Sequence, residues 1–406
     1  DPQGLKSAEL VALSDACADL LTIDSQSITT PDALAVLSAN KPLPSSVPLA
    51  MKYTGHQFGY YNPDLGDGRG LLLADVIPHR SATRWDLHLK GAGLTPFSRQ
   101  GDGRAVLRSS IREFLASEAM AALDIPTSRA LCVLNSQTPV YREQSETAAT
   151  VLRVSQTHLR FGHFEYAFHS GDGALLSALA DYTIERHYPC LHGSKNRYAD
   201  FFILTAKKTA SLIANWQAVG FAHGVMNTDN MSILGETFDY GPFGFIDRFD
   251  PGYICNHSDT AGRYAYDRQP SIAHWNLSVL AHALSPIVEQ DALSEGLQAF
   301  NQQFNDDYIA LMSAKVGLTE FKEGDQGLIF KVLNMMTENK MDYSFFFRQL
   351  AGIEDQQTQT KLRDLCVNRV KFDECTDALL SRWQQDSVSC NDRYQAMNRV
   401  NPKYIL

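Results

Sequence analysis

The sequence predicts an α+β chain of two unequal lobes: a small lobe of mixed sheet and helix at residues 1–160, and a larger, mainly helical lobe at residues 161–406. Two observations carry this. The first half mixes short apolar alternations with glycine-rich turns, whereas beyond about residue 165 long segments with helical spacing take over. No internal repeat, low-complexity tract or Pro/Ser tether separates the two, so the boundary is placed in a tight connection at Arg160-Phe161-Gly162.

In the first half, Gly66-Asp67-Gly68-Arg69-Gly70 runs directly into an apolar strand at 71–76. Trp85, Leu87 and Leu89 then alternate with Asp86, His88 and Lys90, the period of a half-buried strand that ends on the lysine. Ile111, Phe114, Leu115, Ala119 and Ala122 recur at helical spacing, and Ser110-Ile111-Arg112-Glu113 reads as a capping box that starts the helix at Ser110. Strands near 131–134 and 151–155 complete an expected five-stranded small lobe. In the second half a helix at 202–219 ends at Gly220. Segments 231–234 and 243–246 read as two strands joined by a turn carrying Asp239-Tyr240-Gly241, with helices at 272–284 and 328–336.

With 406 residues, 44% of them hydrophobic, the chain can bury a large core. Its net charge of −10 weighs against a nucleic-acid partner, since phosphate neutralisation needs a basic face. Seven scattered cysteines with no C-x-x-C pair suggest neither a disulfide framework nor a zinc knuckle; Cys366 and Cys375 could pair only if the fold joins them. No apolar run approaches the roughly 18 residues of a membrane span, and Asp1-Pro2-Gln3 opens no signal peptide. The expected setting is reducing: cytoplasmic in a bacterium, or mitochondrial in a eukaryote after loss of a presequence.

Phosphate chemistry needs backbone donors near a nucleotide, a lysine, an acid that fixes the lysine, and oxygen ligands for magnesium. The chain offers these in protein-kinase order: Gly66, Gly68 and Gly70; Lys90; Glu113; a polar loop from His223 to Asn230; and Asp239. Each alone has a plainer reading as a turn, a solvated strand end, a cap or a packing histidine. Their shared order raises the functional one. The kinase catalytic aspartate lies two residues after the loop histidine, where this chain has Val225, so Asp229 is the candidate proton acceptor.

The chain resembles the selenoprotein O family, kinase-related proteins described as protein adenylyltransferases. The resemblance rests on Gly55-His56-Gln57-Phe58-Gly59, on the glycine turn, on the stretches from Leu89 to Arg99 and Asp102 to Glu113, and on His223 to Asn230, and it spans essentially the whole chain. It implies a two-lobed protein-kinase-like fold in which ATP lies reversed, its α-phosphate facing the acceptor. Lys90, Arg153 and Arg160 would grip the inner phosphates; Gly66, Gly68, Arg69, Asp102, Gly103 and Asp239 would also line the nucleotide. Asn230 and Asp239 would hold Mg²⁺, with Mn²⁺ as an alternative, while Glu113 holds Lys90 and Asp229 takes the acceptor proton. The implied acceptors are Ser, Thr or Tyr hydroxyls of proteins, the chain itself among them, with no nucleic-acid or membrane partner. A γ-phosphoryl transferase and a silent ATP-binding pseudokinase are the alternatives. A redox-active cysteine or selenocysteine near the C-terminus, which family members can carry, is not found in residues 1–406.

Overall fold

The computed structural model describes residues 2–354 and 358–406. Two compact units emerge: one of Asp1–Lys208, Asn227–Gly241 and Trp275–Leu297, the other of Thr209–Met226, Pro242–His274 and Gln298–Leu406.

The first unit opens with β1 (Glu9–Leu13) and three short helices, α1 (Asp15–Leu20), α2 (Ser25–Ile28) and α3 (Pro31–Leu37). A hairpin of β2 (Lys52–Gln57) and β3 (Tyr60–Gly66) follows, then β4 (Gly70–Val76), β5 (Trp85–Lys90) and β6 (Ala105–Val106). Helix α4 (Leu107–Ala122) precedes the long strands β7 (Arg129–Tyr141) and β8 (Ser145–Ser155). Helices α5 (Phe161–His169) and α6 (Gly173–His187) close this run. The main sheet is antiparallel in the order β1-β7-β8-β5-β4, with β6 also on β8. It has six strands; the sequence reading located four of them, β4, β5, β7 and β8, while β1 and β6 are too weakly patterned to be read from sequence. Leu71, Leu73, Leu87, Leu89, Leu131, Leu134, Leu152 and Val154 form its core with Cys17, Ala18 and Leu21 of the α1 region.

Two local expectations are corrected. Helix α4 begins at Leu107 after an N-cap at Val106 that makes no side-chain cap bond, so Ser110 and Glu113 are interior and no capping box forms. Segment 231–234 pairs with the chain before α5 rather than forming a hairpin: Phe161 N–H donates to Met231 O at 3.0 Å and Ile233 N–H to Leu159 O at 3.1 Å. The only regular strand of the expected pair, β10 (Gly244–Phe245), instead joins β9 (Phe221–Ala222).

The remaining helices are α7 (Arg197–Val219), α8 (Gln269–Leu284), α9 (Gln290–Lys315), α10 (Asp325–Asn339), α11 (Tyr343–Leu350), α12 (Thr360–Arg363), α13 (Arg369–Trp383) and α14 (Cys390–Val400). The core of the second unit joins Met312, Val332, Met336, Phe346, Phe347, Leu350, Phe372 and Leu379. Cys366 and Cys375 are buried there as free thiols, and burial pushes them up to about 11 and about 12. None of the seven cysteines takes part in a disulfide. Among the described residues no helix is long and apolar enough to cross a membrane.

Gly220 ends α7 as the sequence suggests, at φ +75°, a conformation that costs a side chain energy. A Cβ there would also sit 3.0 Å from the Tyr343 ring. Gly220→Ala is therefore expected to cost about 1 kcal/mol or more, read as a lower denaturation midpoint; an unchanged midpoint would contradict the stop signal.

Candidate active site

Pairing of β5 with β8 sets Lys90 opposite Val151 and His88 opposite Arg153, so Lys90 and Arg153 emerge diagonally on one face of the sheet. Helix α4 presents Glu113 to both: Lys90 Nζ donates to one carboxylate oxygen and Arg153 Nε to the other. Arg153 continues to Asp239 Oδ1 at 2.8 Å, and Arg160 donates to Asp239 Oδ2. The result is a ladder of alternating charge, Lys90–Glu113–Arg153–Asp239–Arg160, with three cations to two anions.

All but Asp239 are nearly sequestered, Glu113 at 1% exposure and Arg160 at 2%. Burial alone would raise the Glu113 carboxyl, but Arg153 and Lys90 overcome it and hold it at about 2. Asp239 likewise lies well below the usual carboxylate range, because Arg160, Arg153 and Lys90 outweigh its burial. Burial, only partly offset by Glu113, pulls the Lys90 ammonium below its ordinary value. Arg160 is braced by aromatic rings, its guanidinium carbon 4.8 Å from the Tyr53 centroid and 4.7 Å from that of Phe238. Asp239 adopts φ +60°, a left-handed conformation aspartate tolerates better than most residues. Its neighbour Tyr240 is tied to Thr127 through a 2.5 Å hydroxyl contact.

Two donors in this ladder, Arg153 Nη2 and Arg160 Nε, are buried without an acceptor among the described residues. Arg160 also donates to the backbone carbonyl of Asp229 at 2.7 Å, linking the ladder to the polar loop. Residues Thr228–Asn230 form one 3₁₀ turn in that loop. Gln57 Nε2 donates to Asp229 Oδ2 at 3.2 Å, while Asp229 Oδ1 is buried and unpartnered among the described residues. Burial raises the Asp229 carboxyl to about 6 despite Arg160 and the Gln57 bond. It is thus a better base than its ordinary value near 4 suggests.

A model of the family described as "Protein adenylyltransferase SelO" matches residues 1–406. The chain belongs to the SelO family. The protein nucleotidyltransferase YdiU of Aliivibrio fischeri (strain MJ11) is 53% identical over 359 residues, covering 88% of this chain and 74% of its own. The protein of the same name from Pseudomonas aeruginosa (strain LESB58) is 49% identical over 407 residues, covering 100% of this chain and 83% of its own.

Against that family resemblance, the candidates fall into three groups. Lys90, Glu113, Arg153, Arg160, Asp229 and Asp239 are joined by the contacts above, and Asn230 adjoins Asp229 in the same turn. Gly66, Gly68 and Arg69 form the β3–β4 turn, with Arg69 exposed and close enough to Lys90 to depress its ammonium further. A Cβ on Gly66 would lie 2.4 Å from the Phe97 ring, and one on Gly68 would lie 2.9 Å from the Phe97 carbonyl oxygen, so these glycines admit the 95–98 segment. Asp102 is exposed and engaged bidentately with Arg142 at 2.8 and 2.9 Å, and Gly103 O accepts from Gly93 N–H at 3.1 Å. His223 is a packing residue of the second unit, stacked 5.3 Å from Trp216. Sequence reasoning missed Tyr53, Gln57, Thr228 and Phe238. Gln57 lay inside a quoted motif but offered no chemistry of its own to single it out.

Metal chemistry fits the residue types present. Asn230 can offer an amide oxygen and Asp239 a carboxylate whose two oxygens are engaged by Arg153 and Arg160, and among the described residues no group of three or more His, Cys, Asp and Glu side chains could hold an ion. A two-residue share, completed by phosphate oxygens and water, is what magnesium ordinarily takes.

Arg153→Met strips Glu113 and Asp239 of their shared cation and is expected to cost about 3–5 kcal/mol in chemical denaturation; a loss below 1 kcal/mol would deny the ladder its structural role. A second expectation concerns acid. Burial lowers His158 and His163 to about 4. Their neutral forms stabilise the fold fully above the ordinary histidine value of about 6.5, and that contribution is lost as pH falls toward about 4. Asp229 and Glu236, raised by burial to about 6 and about 7, act in the opposite sense over the same window, so the histidine contribution is read as a difference: His163→Gln should lose less stability than the wild type as pH falls toward about 4, and parallel curves would refute it.

Proposed function

We propose that the site binds ATP with Mg²⁺ on a protein-kinase-like two-lobed fold and transfers AMP to Ser, Thr or Tyr hydroxyls of proteins. Residues 1–160 would supply the nucleotide-binding lobe and 161–406 the helical lobe. Protein adenylyltransferase is the activity that membership of the SelO family supports. The supporting observation is a complementary pair of vacancies in hydrogen bonding: buried guanidinium donors on Arg153 and Arg160, and a buried acceptor, Asp229 Oδ1, joined to them through Arg160. Phosphate oxygens would satisfy the donors; a hydroxyl proton would satisfy the acceptor.

In the reaction, the acceptor oxygen forms a bond to the α-phosphorus as the bond to the bridging oxygen of pyrophosphate breaks. Asp229 Oδ1 orients the hydroxyl and takes its proton, while Lys90, Arg153 and Arg160 bind the charge gathering on pyrophosphate. Arginine suits this because its fork matches phosphate oxygens and keeps its charge. Glu113 positions Lys90 and Arg153. Magnesium, held by Asn230 and Asp239, would neutralise phosphate charge. Gly66, Gly68, Arg69, Asp102 and Gly103 would border the nucleotide, with Arg142 sharing Asp102. Val225 at the kinase base position weighs against ordinary phosphoryl transfer.

ATP labelled separately at the α- and γ-phosphates decides the chemistry. The α label should be retained on protein, whereas retention of γ alone would overturn the proposal. Asp229→Ala should lower transfer by roughly 10²-fold or more with ATP still bound, and Asp239→Ala should weaken both; full transfer in either would remove that residue from its role.

A further inference from the structure

We infer that Gln57 is a positioning residue for Asp229, fixing which carboxylate oxygen faces the acceptor hydroxyl. This rests on the reading of Asp229 as proton acceptor. The β2–β3 hairpin meets the loop through three consecutive residues: His56 N–H donates to Thr228 Oγ1 at 2.7 Å, Gln57 Nε2 to Asp229 Oδ2 at 3.2 Å, and Phe58 N–H to Asn227 Oδ1 at 3.3 Å. Gly55 completes the fit, because a Cβ there would lie 2.9 Å from both Asp229 Cβ and Oδ1.

The polarity of the Gln57 contact is set from outside the site. The backbone N–H of Asp64 can only donate, and it donates to Asn62 Oδ1 at 3.0 Å. Asn62 Nδ2 is thereby turned to Gln57 Oε1, at 3.2 Å. With its oxygen occupied, the Gln57 amide offers its nitrogen to Asp229 Oδ2. One carboxylate oxygen is thus held by the hairpin, and Oδ1 remains to receive the proton. Gln57 touches neither ATP-binding ladder residue nor reacting atom in this relay; it acts through Asp229. A carboxylate free to rotate about its terminal torsion would present Oδ1 correctly only part of the time.

The test follows incorporation of AMP from α-labelled ATP into β-casein and into the enzyme itself, with ATP affinity and thermal midpoint measured alongside. Gln57→Met keeps the side-chain length and removes the donor; it should lower kcat roughly tenfold and leave the KM for ATP and the thermal midpoint near wild type. Asn62→Ala retains Gln57 but frees its amide, and should lower kcat in the same direction by less. Gln57→Glu, which sets a second carboxylate against Asp229, should be the most impaired of the three. Unchanged kcat in Gln57→Met, or parallel losses in kcat, ATP affinity and thermal midpoint in all three, would overturn the positioning role. Asp229→Ala separates the two ideas: if it retains transfer, the base assignment fails; if it loses transfer while Gln57→Met does not, only the inference about Gln57 falls.

Discussion

The carboxylate of Glu113 is the constraint around which the first unit is organised. It lies at 1% exposure, is held at about 2, and accepts from Lys90 and Arg153 at once. A carboxylate so buried is tolerable only while both cations are present, since an ionised group without partners would be forced to neutralise. Arg153 is in turn tied to Asp239, and Asp239 to Arg160. Each charge is admitted to the interior by the next. Such ladders are poor devices for stability, because desolvation consumes most of what the pairing gains. This one leaves a cation in excess and donors on Arg153 and Arg160 without an acceptor among the described residues, an arrangement suited to an anion more than to a core.

That ladder draws on five separate pieces of chain. Lys90 ends a strand, Glu113 sits within α4, Arg153 lies near the end of β8, Arg160 caps α5 and Asp239 follows the loop. The sheet register brings the first and third together, and Thr127 anchors the segment bearing the fifth: Ser128 N–H donates to Thr237 O at 2.9 Å, beside the Thr127–Tyr240 contact. None of these contacts is local, so the charge arrangement exists only when the whole sheet has formed. The site and the fold are in this sense one cooperative object.

Periodicity made much of this legible. Alternation at 85–90 and helical spacing around 111–122 located β5 and α4, whereas Lys90 and Glu113, each alone readable as a strand end or a cap, gained weight from falling in protein-kinase order with the glycine turn and the polar loop. Arg153 and Arg160 came through family resemblance instead; nothing in an isolated arginine says that it will be buried. The failures were failures of local reading. Ser110 and Glu113 have the spacing of a capping box, yet the glutamate is claimed by Lys90 and Arg153. Segment 231–234 has strand composition, yet its backbone partners lie at 159–161. Strand β2, Lys-Tyr-Thr-Gly-His-Gln, shows no alternation because it packs through backbone donors and a missing side chain at Gly55 rather than through an apolar face.

Arg160 connects the two halves of the proposed chemistry. Its guanidinium reaches the Asp239 carboxylate and the Asp229 carbonyl while Tyr53 and Phe238 flank it. A guanidinium braced on two aromatic faces, with one nitrogen, Nη1, donating to both acceptors, has little freedom to follow a moving substrate. The cation ladder and the proposed base are therefore held at a fixed separation, and on this reading the phosphate presented to Asp229 would be chosen by which phosphates the ladder grips. If the inner pair is gripped, the α-phosphorus is the one presented, and a protein hydroxyl beside Asp229 receives AMP. Selectivity for adenylyl over phosphoryl transfer would then reside in the spacing that Arg160 enforces rather than in any difference in the chemistry of the base.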